Sequence, residues 1–293
     1  MQRFTTLISG DELQASLQLP DWRIVDCRFD LKAPEKGRQE YLAGHISGAA
    51  YADLDGDLAD PIRADTGRHP LPDPQRFSAT LGSWGISNAS QVVVYDHGSG
   101  AIAARLWWLL RWMGHRDVAV LNGGIAGWIK AGRPLVRHSQ VASIARFEPH
   151  PDNAMVVTTA ELLAGREAIA LVDARDRQRF LGHVEPIDPV AGHVPGALNF
   201  PFSESLDPGG EMLSADELRI RWQKLLGNNA QRPWVAMCGS GVTACHLALS
   251  AEVAGIRAPR LYVGSWSEWI RDPGRPVATG AGQAGGPTSD RVA

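Results

Sequence analysis

The segment VAMCGSGVTACH, residues 235–246, sets Cys238 between a short apolar run and a Gly-Ser-Gly turn that opens into an alanine-rich stretch. A cysteine at such a junction faces the first amides of a helix, whose unpaired N–H groups and partial positive charge stabilise an anion on sulfur. The glycines flanking Ser240 let backbone amides turn inward without side-chain obstruction. A thiolate held that way is a nucleophile. Elsewhere a free cysteine packs as a small hydrophobe, which is the reading for Cys27 at the end of an apolar run. Cys245 lies seven residues past Cys238 on the following helix, and no redox pairing between the two is expected.

Three chemistries compete for this loop. The pattern GxGxxA after a strand fits both GSGVTA and GSGAIA, but it comes late in each half and lacks an evident acidic partner for a ribose, against a dinucleotide site. A cysteine on a phosphate-cradling loop needs an arginine six residues on to clamp the phosphoryl group of a phosphatase substrate. That position is Ala244. The third chemistry is sulfur transfer, with the thiolate taking the outer sulfur of a donor and holding it as a persulfide. A binding module without catalysis is the reading outside the enzymes.

The whole chain sets the frame for that choice. Its 293 residues suffice for two domains, and with 44% hydrophobic and 21% charged residues it has the composition of a soluble globular protein. The net charge of −3 gives no footprint for nucleic acid or an anionic membrane. The start, MQRFTTLISGDELQASLQLP, lacks a continuous apolar stretch, and a cytoplasmic protein with reduced thiols is expected. Three cysteines without a CxxC pair suggest neither zinc nor a disulfide framework, and no metal site is expected.

The chain is written twice. LVDARDRQRF at 171–180 echoes IVDCRFDLKA at 24–33, and AGHVPGALNF at 191–200 echoes AGHISGAAYA at 43–52. Further on, CGSGVTACHLALS from 238 matches HGSGAIAARLWWL from 97, and GSWSEWI from 264 matches GGIAGWI from 123. This alignment places His97 opposite Cys238, so the first copy lacks the nucleophile. Within each copy, apolar runs such as VVVYD (92–96) and WVAM (234–237) read as buried parallel strands feeding helices, and SGDEL and TTAEL read as capping-box helix starts. The fold class is therefore α/β. Residues 1–137 and 156–279 are expected to be domains, 138–155 a linker, and 280–293 a disordered tail.

CGSGVTA, together with GHVPGALNFPF, VDARDRQRF and GSWSEWI, resembles the two-domain rhodanese family, and the loop is closest to that of its mercaptopyruvate-using members. The resemblance covers both copies. It implies two tandem domains, each a parallel five-stranded sheet flanked by helices, the first catalytically inactive. It implies that Cys238 takes sulfur from 3-mercaptopyruvate, or from thiosulfate in the runner-up reading, and passes it to cyanide or a thiol acceptor without a cofactor. Thioredoxin or another dithiol protein is a candidate partner. Gly239, Gly241, Val242, Thr243 and Ala244 would frame the substrate, and Arg179 would bind its carboxylate. A second arginine, which follows Glu-Pro in some members, is replaced by Ile187 and Asp188. A relay proposed in the family maps to Ser240, His69 and Asp55. Thiosulfate-preferring relatives carry basic side chains in the two positions after the cysteine, here Gly239 and Ser240.

The remaining polar residues have structural readings. His45 and His193 sit in Gly-His turns where an imidazole bonds backbone, and Asp26 and Asp173 end equivalent strands in both copies. Trp107, Trp108 and Trp112 belong to core or inter-domain packing.

Overall fold

The computed structural model describes residues 3–138, 143–165, 168–227 and 232–281. In the first half, β1 (Leu7–Ile8), β2 (Trp22–Asp26), β3 (Ala49–Tyr51), β4 (Gln91–Tyr95) and β5 (Val118–Leu121) form a sheet ordered β1-β5-β4-β2-β3. In the second, β6 (Val156–Val157), β7 (Ala170–Asp173), β8 (Leu198–Asn199), β9 (Trp234–Met237) and β10 (Arg260–Tyr262) repeat that order as β6-β10-β9-β7-β8. The strand pairs are parallel. Helices cover both faces of a parallel sheet, and the central strands β4 and β9 are accordingly buried at every position.

The helices of the first half are α1 (Gly10–Ser16), α2 (Glu35–Ala43), α3 (Pro74–Ser83), α4 (Ala103–Trp112) and α5 (Gly124–Lys130). Those of the second are α6 (Thr159–Gly165), α7 (Arg177–Phe180), α8 (Ala215–Leu226), α9 (Thr243–Val253) and α10 (Ser265–Trp269). The two capping boxes form where the sequence signals them. Ser9 accepts from the Glu12 amide while Glu12 reaches back to the Ser9 amide. Thr158 and Glu161 do the same ahead of α6.

α4 and α9 each leave the loop after a central strand, and they pack against one another across the seam between the halves. One continuous core therefore spans both domains and contains Trp107, Trp108 and Trp112 as well as Leu247 and Leu249. Each such side chain, fully buried, contributes roughly 1.5–3 kcal/mol. Polar ties fix the seam further: Arg111 pairs with Glu252 at 2.8 Å, and His246 Nε2 lies 3.0 Å from the Ser99 carbonyl. Burial holds His246 down at about 4, so it makes this contact as a neutral ring.

The described part of the expected linker is not free chain. It runs along the first domain with Phe147 buried, and its backbone pairs with Gly82, Met113 and Trp112. Residues 139–142 lie outside the described residues, as do 282–293 of the expected tail. The start of that tail is anchored, because Gly280 donates to the Leu181 carbonyl at 2.8 Å. Among the described residues no helix is long and apolar enough to cross a membrane.

Candidate active site

Cys238 follows β9 directly and is 2% exposed. Its sulfur accepts the Gly241 amide at 3.1 Å, and its own amide donates to Ser265 Oγ at 3.1 Å. The Trp266 and Ser267 amides bond the Cys238 and Gly239 carbonyls at 3.0 and 2.9 Å, so the start of α10 braces the loop from behind. Gly241 has φ +79°, and a side-chain carbon there would meet the Val263 carbonyl at 2.5 Å. Only glycine turns its amide toward the sulfur at this point. α9 begins two residues later, directing its free amides at the same region.

Ser240, His69 and Asp55 come together as a chain of contacts. Ser240 Oγ lies 2.7 Å from His69 Nδ1, and His69 Nε2 lies 3.1 Å from Asp55 Oδ1. The carboxylate assigns the ring proton to Nε2, leaving Nδ1 to accept from the serine hydroxyl. Burial holds the His69 pKa below the ordinary histidine range, against the opposing pull of Asp55. Asp55 is at the rim with its side chain 55% exposed, positioned by a turn in which the Asp55 and Gly56 amides bond Asp53. His69 reaches Ser240 because the segment before it is pressed onto the second domain. The Thr66 carbonyl accepts from Arg271, the Arg68 amide donates to Ser267 Oγ at 3.0 Å, and a side-chain carbon on Gly67 would stand 2.4 Å from the Gly264 carbonyl.

These groups open onto a cavity of about 270 Å³ lined by Cys238, Gly239, Ser240, Val242, Thr243 and His69 together with Arg179 and several apolar side chains. Of the loop residues expected to frame a substrate, Gly241 instead turns its amide to the sulfur, and Ala244 is buried in α9 behind the loop. Arg179 is gripped by Glu185 through Nε and Nη2, with Nη2 also 3.0 Å from Asp188. A larger groove of about 420 Å³ at the seam, lined by Trp107, Arg111 and Glu252 among others, has no cysteine, serine or threonine in its lining.

Two arginines escaped the sequence reading. Arg105 is wholly buried in α4, where it donates to the carbonyls of Gly241 (3.2 Å), His69 (3.1 Å), Pro70 (3.2 Å) and Leu58 (3.4 Å). One cation of the first domain thus ties the nucleophile loop to the histidine segment. The available signal was a charge inside the apolar run AARLWWLLRW. Arg68 lines the cavity and pairs with Asp188 of the other domain. Cys245 donates to the same Gly241 carbonyl at 3.3 Å, and burial pushes its thiol up to about 12.

The first copy's loop corrects one alignment. The Ile125 and Ala126 amides bond the Asp96 and His97 carbonyls, as Trp266 and Ser267 bond those of Cys238 and Gly239. Asp96, not His97, is therefore the counterpart of Cys238. The first loop is one residue longer, and matching Gly-Ser-Gly to Gly-Ser-Gly shifted the register. The Asp96 carboxylate fills its own cradle, accepting amides of Gly98, Gly100, Ile102 and Ala103 at 2.9–3.2 Å. His97 points outward to Glu40 at 2.6 Å. The remaining structural readings fit the contacts: His45 and His193 bond the Tyr41 and Phe180 carbonyls, and Asp26 and Asp173 pair with Arg28 and Arg175.

The chain is 48% identical over 278 residues to a probable 3-mercaptopyruvate sulfurtransferase of Pseudomonas aeruginosa, covering 94% of this chain and 98% of that one. It is 35% identical over 270 residues to the thiosulfate sulfurtransferase of Bos taurus, covering 89% of each. Among solved structures, SseA from Escherichia coli, described as a 3-mercaptopyruvate sulfotransferase, superposes with a TM-score of 0.79 at 31% identity, over 90% of this chain and all of that one. The rhodanese-like domain model matches residues 9–131 and again 157–272, one match on each five-stranded sheet, and with both halves so matched the chain belongs to the rhodanese-like domain family.

Proposed function

We propose that the protein is a sulfurtransferase that takes sulfur from 3-mercaptopyruvate onto Cys238, releases pyruvate, and hands the sulfur to cyanide or a thiol. The carrying observation is the Cys238 sulfur, turned toward a backbone amide at the base of a cavity whose wall presents a buried Ser240–His69 pair. The Cys238 thiolate attacks the donor sulfur, the C–S bond breaks, and its electrons go to the enolate of pyruvate. The enolate then gains a proton, and the persulfide, formed with the donor's thiol proton, loses one. Ser240 and His69, neutral at pH 7, form the path for that transfer, while the Gly241 amide, the start of α9 and the buried Arg105 stabilise negative charge on sulfur. Asp96, locked in the first cradle, supports a first domain that shapes the site without carrying sulfur. A cytoplasmic setting and a thioredoxin-like dithiol acceptor are part of the same reading.

Thiosulfate is the second reading, favoured by the guanidinium groups of Arg68 and Arg179 near the loop and by the family's thiosulfate-using members. It leaves as sulfite and needs no proton, so it has no use for the His69 relay. The kcat/KM for 3-mercaptopyruvate is therefore expected to exceed that for thiosulfate by at least about tenfold, or about 1.4 kcal/mol of transition-state binding. Steady-state assays with both donors and cyanide as acceptor decide between them. A ratio below one would reverse the donor assignment.

A further inference from the structure

The loop after Cys238 is neutral in sequence but not in space. A side-chain carbon built on Gly239 would lie 3.0 Å from Arg68 Nη2 and 3.7 Å from Arg179 Nη1 and Nη2. Two guanidinium groups from different domains thus converge over the residue beside the nucleophile. A basic side chain at 239 would project into them. Where the sequence lacks a second arginine in the Glu-Pro segment, Ile187 lines the cavity and Asp188 joins the two cations. The Asp188 carboxylate pairs with Arg68 on one oxygen and with Arg179 on the other.

That arrangement leaves donors to spare. Arg68 gives Nη1 to Asp188, while its Nη2 and its buried Nε have no acceptor among the described residues. Arg179 spends Nε and Nη2 on Glu185 and Asp188, and its Nη1 is likewise free among them. Asp188 and Glu185 balance the two arginines in charge, which holds both heads in place instead of letting them repel. The unspent N–H groups suit a planar carboxylate, which a guanidinium binds through paired parallel bonds.

We propose that Arg68, supplied by the first domain, is a donor-binding residue that with Arg179 clamps the carboxylate of the sulfur donor. This rests on the proposed function, whose donor is a 2-oxo acid. It makes the site incomplete in either domain alone: the second domain brings sulfur chemistry and one cation, and the first brings the other cation on the same segment as His69.

The test separates binding from chemistry. In Arg68→Ala, the KM for 3-mercaptopyruvate and the inhibition constant of pyruvate against that donor are expected to rise together by about ten- to a hundredfold, with kcat within about threefold. Arg68→Gln, which keeps an N–H for Asp188 but loses the charge, should behave likewise and serves if alanine loosens the seam. Arg68→Lys should recover part of the affinity for both ligands. An unchanged KM and inhibition constant in the alanine and glutamine variants, or a loss confined to kcat, would overturn the clamp and leave Arg68 as an inter-domain tie. Failure of the unaltered protein to release pyruvate from 3-mercaptopyruvate would instead overturn the reading on which the clamp rests.

Discussion

Replacing Cys238 by serine is expected to abolish turnover with every sulfur donor while the protein stays folded. A serine oxygen can still accept the Gly241 amide that Cys238 Sγ accepts at 3.1 Å, so the loop keeps its shape. The chemistry has no such substitute, because a hydroxyl is not ionised in this range and an oxygen cannot carry sulfane sulfur as a persulfide. The other thiols do not compensate. Cys245 is buried, spends its S–H on the Gly241 carbonyl and is held protonated by burial, and Cys27 lies in the first domain's core with its pKa pushed well up. Pyruvate release from 3-mercaptopyruvate and thiocyanate formation with cyanide are the measurements. Retention of more than about 1% of either rate in a purified, folded variant would sink the mechanism.

His69→Ala is expected to have the second largest effect, and an unequal one. With mercaptopyruvate, kcat should fall by about 10²–10⁴, the usual contribution of a positioned general acid-base group. With thiosulfate it should fall less than about tenfold, because sulfite departs without taking a proton from the relay. The pH profile has a definite sign. Since burial lowers the His69 pKa, the neutral ring persists below the ordinary value of about 6.5, and the acid limb of the mercaptopyruvate rate should lie below that pH. The limb should vanish in the alanine variant. Equal losses with both donors would make His69 a structural support for Ser240 instead of a proton carrier.

What the sequence made legible and what it hid follow from the range of the interactions. The strand-turn-helix at Cys238 is local, encoded within a dozen residues by apolar character, glycine and helix start, and it appears in the structure as β9, loop and α9. The repeat predicted that both halves share one fold, and the two sheets do have the same strand order, whereas five parallel strands per sheet were implied only by the family resemblance. The loop register of the first copy was not legible. Backbone bonds from the start of α5 decide that Asp96 stands for Cys238, and no motif carries that information. The role of Arg105 was not legible either, since its acceptors are carbonyls on three segments far from it in sequence. Arg68 and Asp188 are 120 positions apart and meet only because both domains fold around one seam. Neutral glycine and serine after the cysteine suggested an uncharged loop, whereas the cations come from elsewhere in the chain.

In this mechanism sulfur leaves the donor on Cys238 and nowhere else. Mass spectrometry of the intact protein and its peptides after treatment with 3-mercaptopyruvate, without acceptor, tests it most directly. A gain of one sulfur atom is expected on the peptide carrying Cys238, lost again on adding cyanide and absent from Cys238→Ser. Pyruvate release with no added sulfur on that peptide, or sulfur on Cys27 or Cys245 in its place, would contradict it.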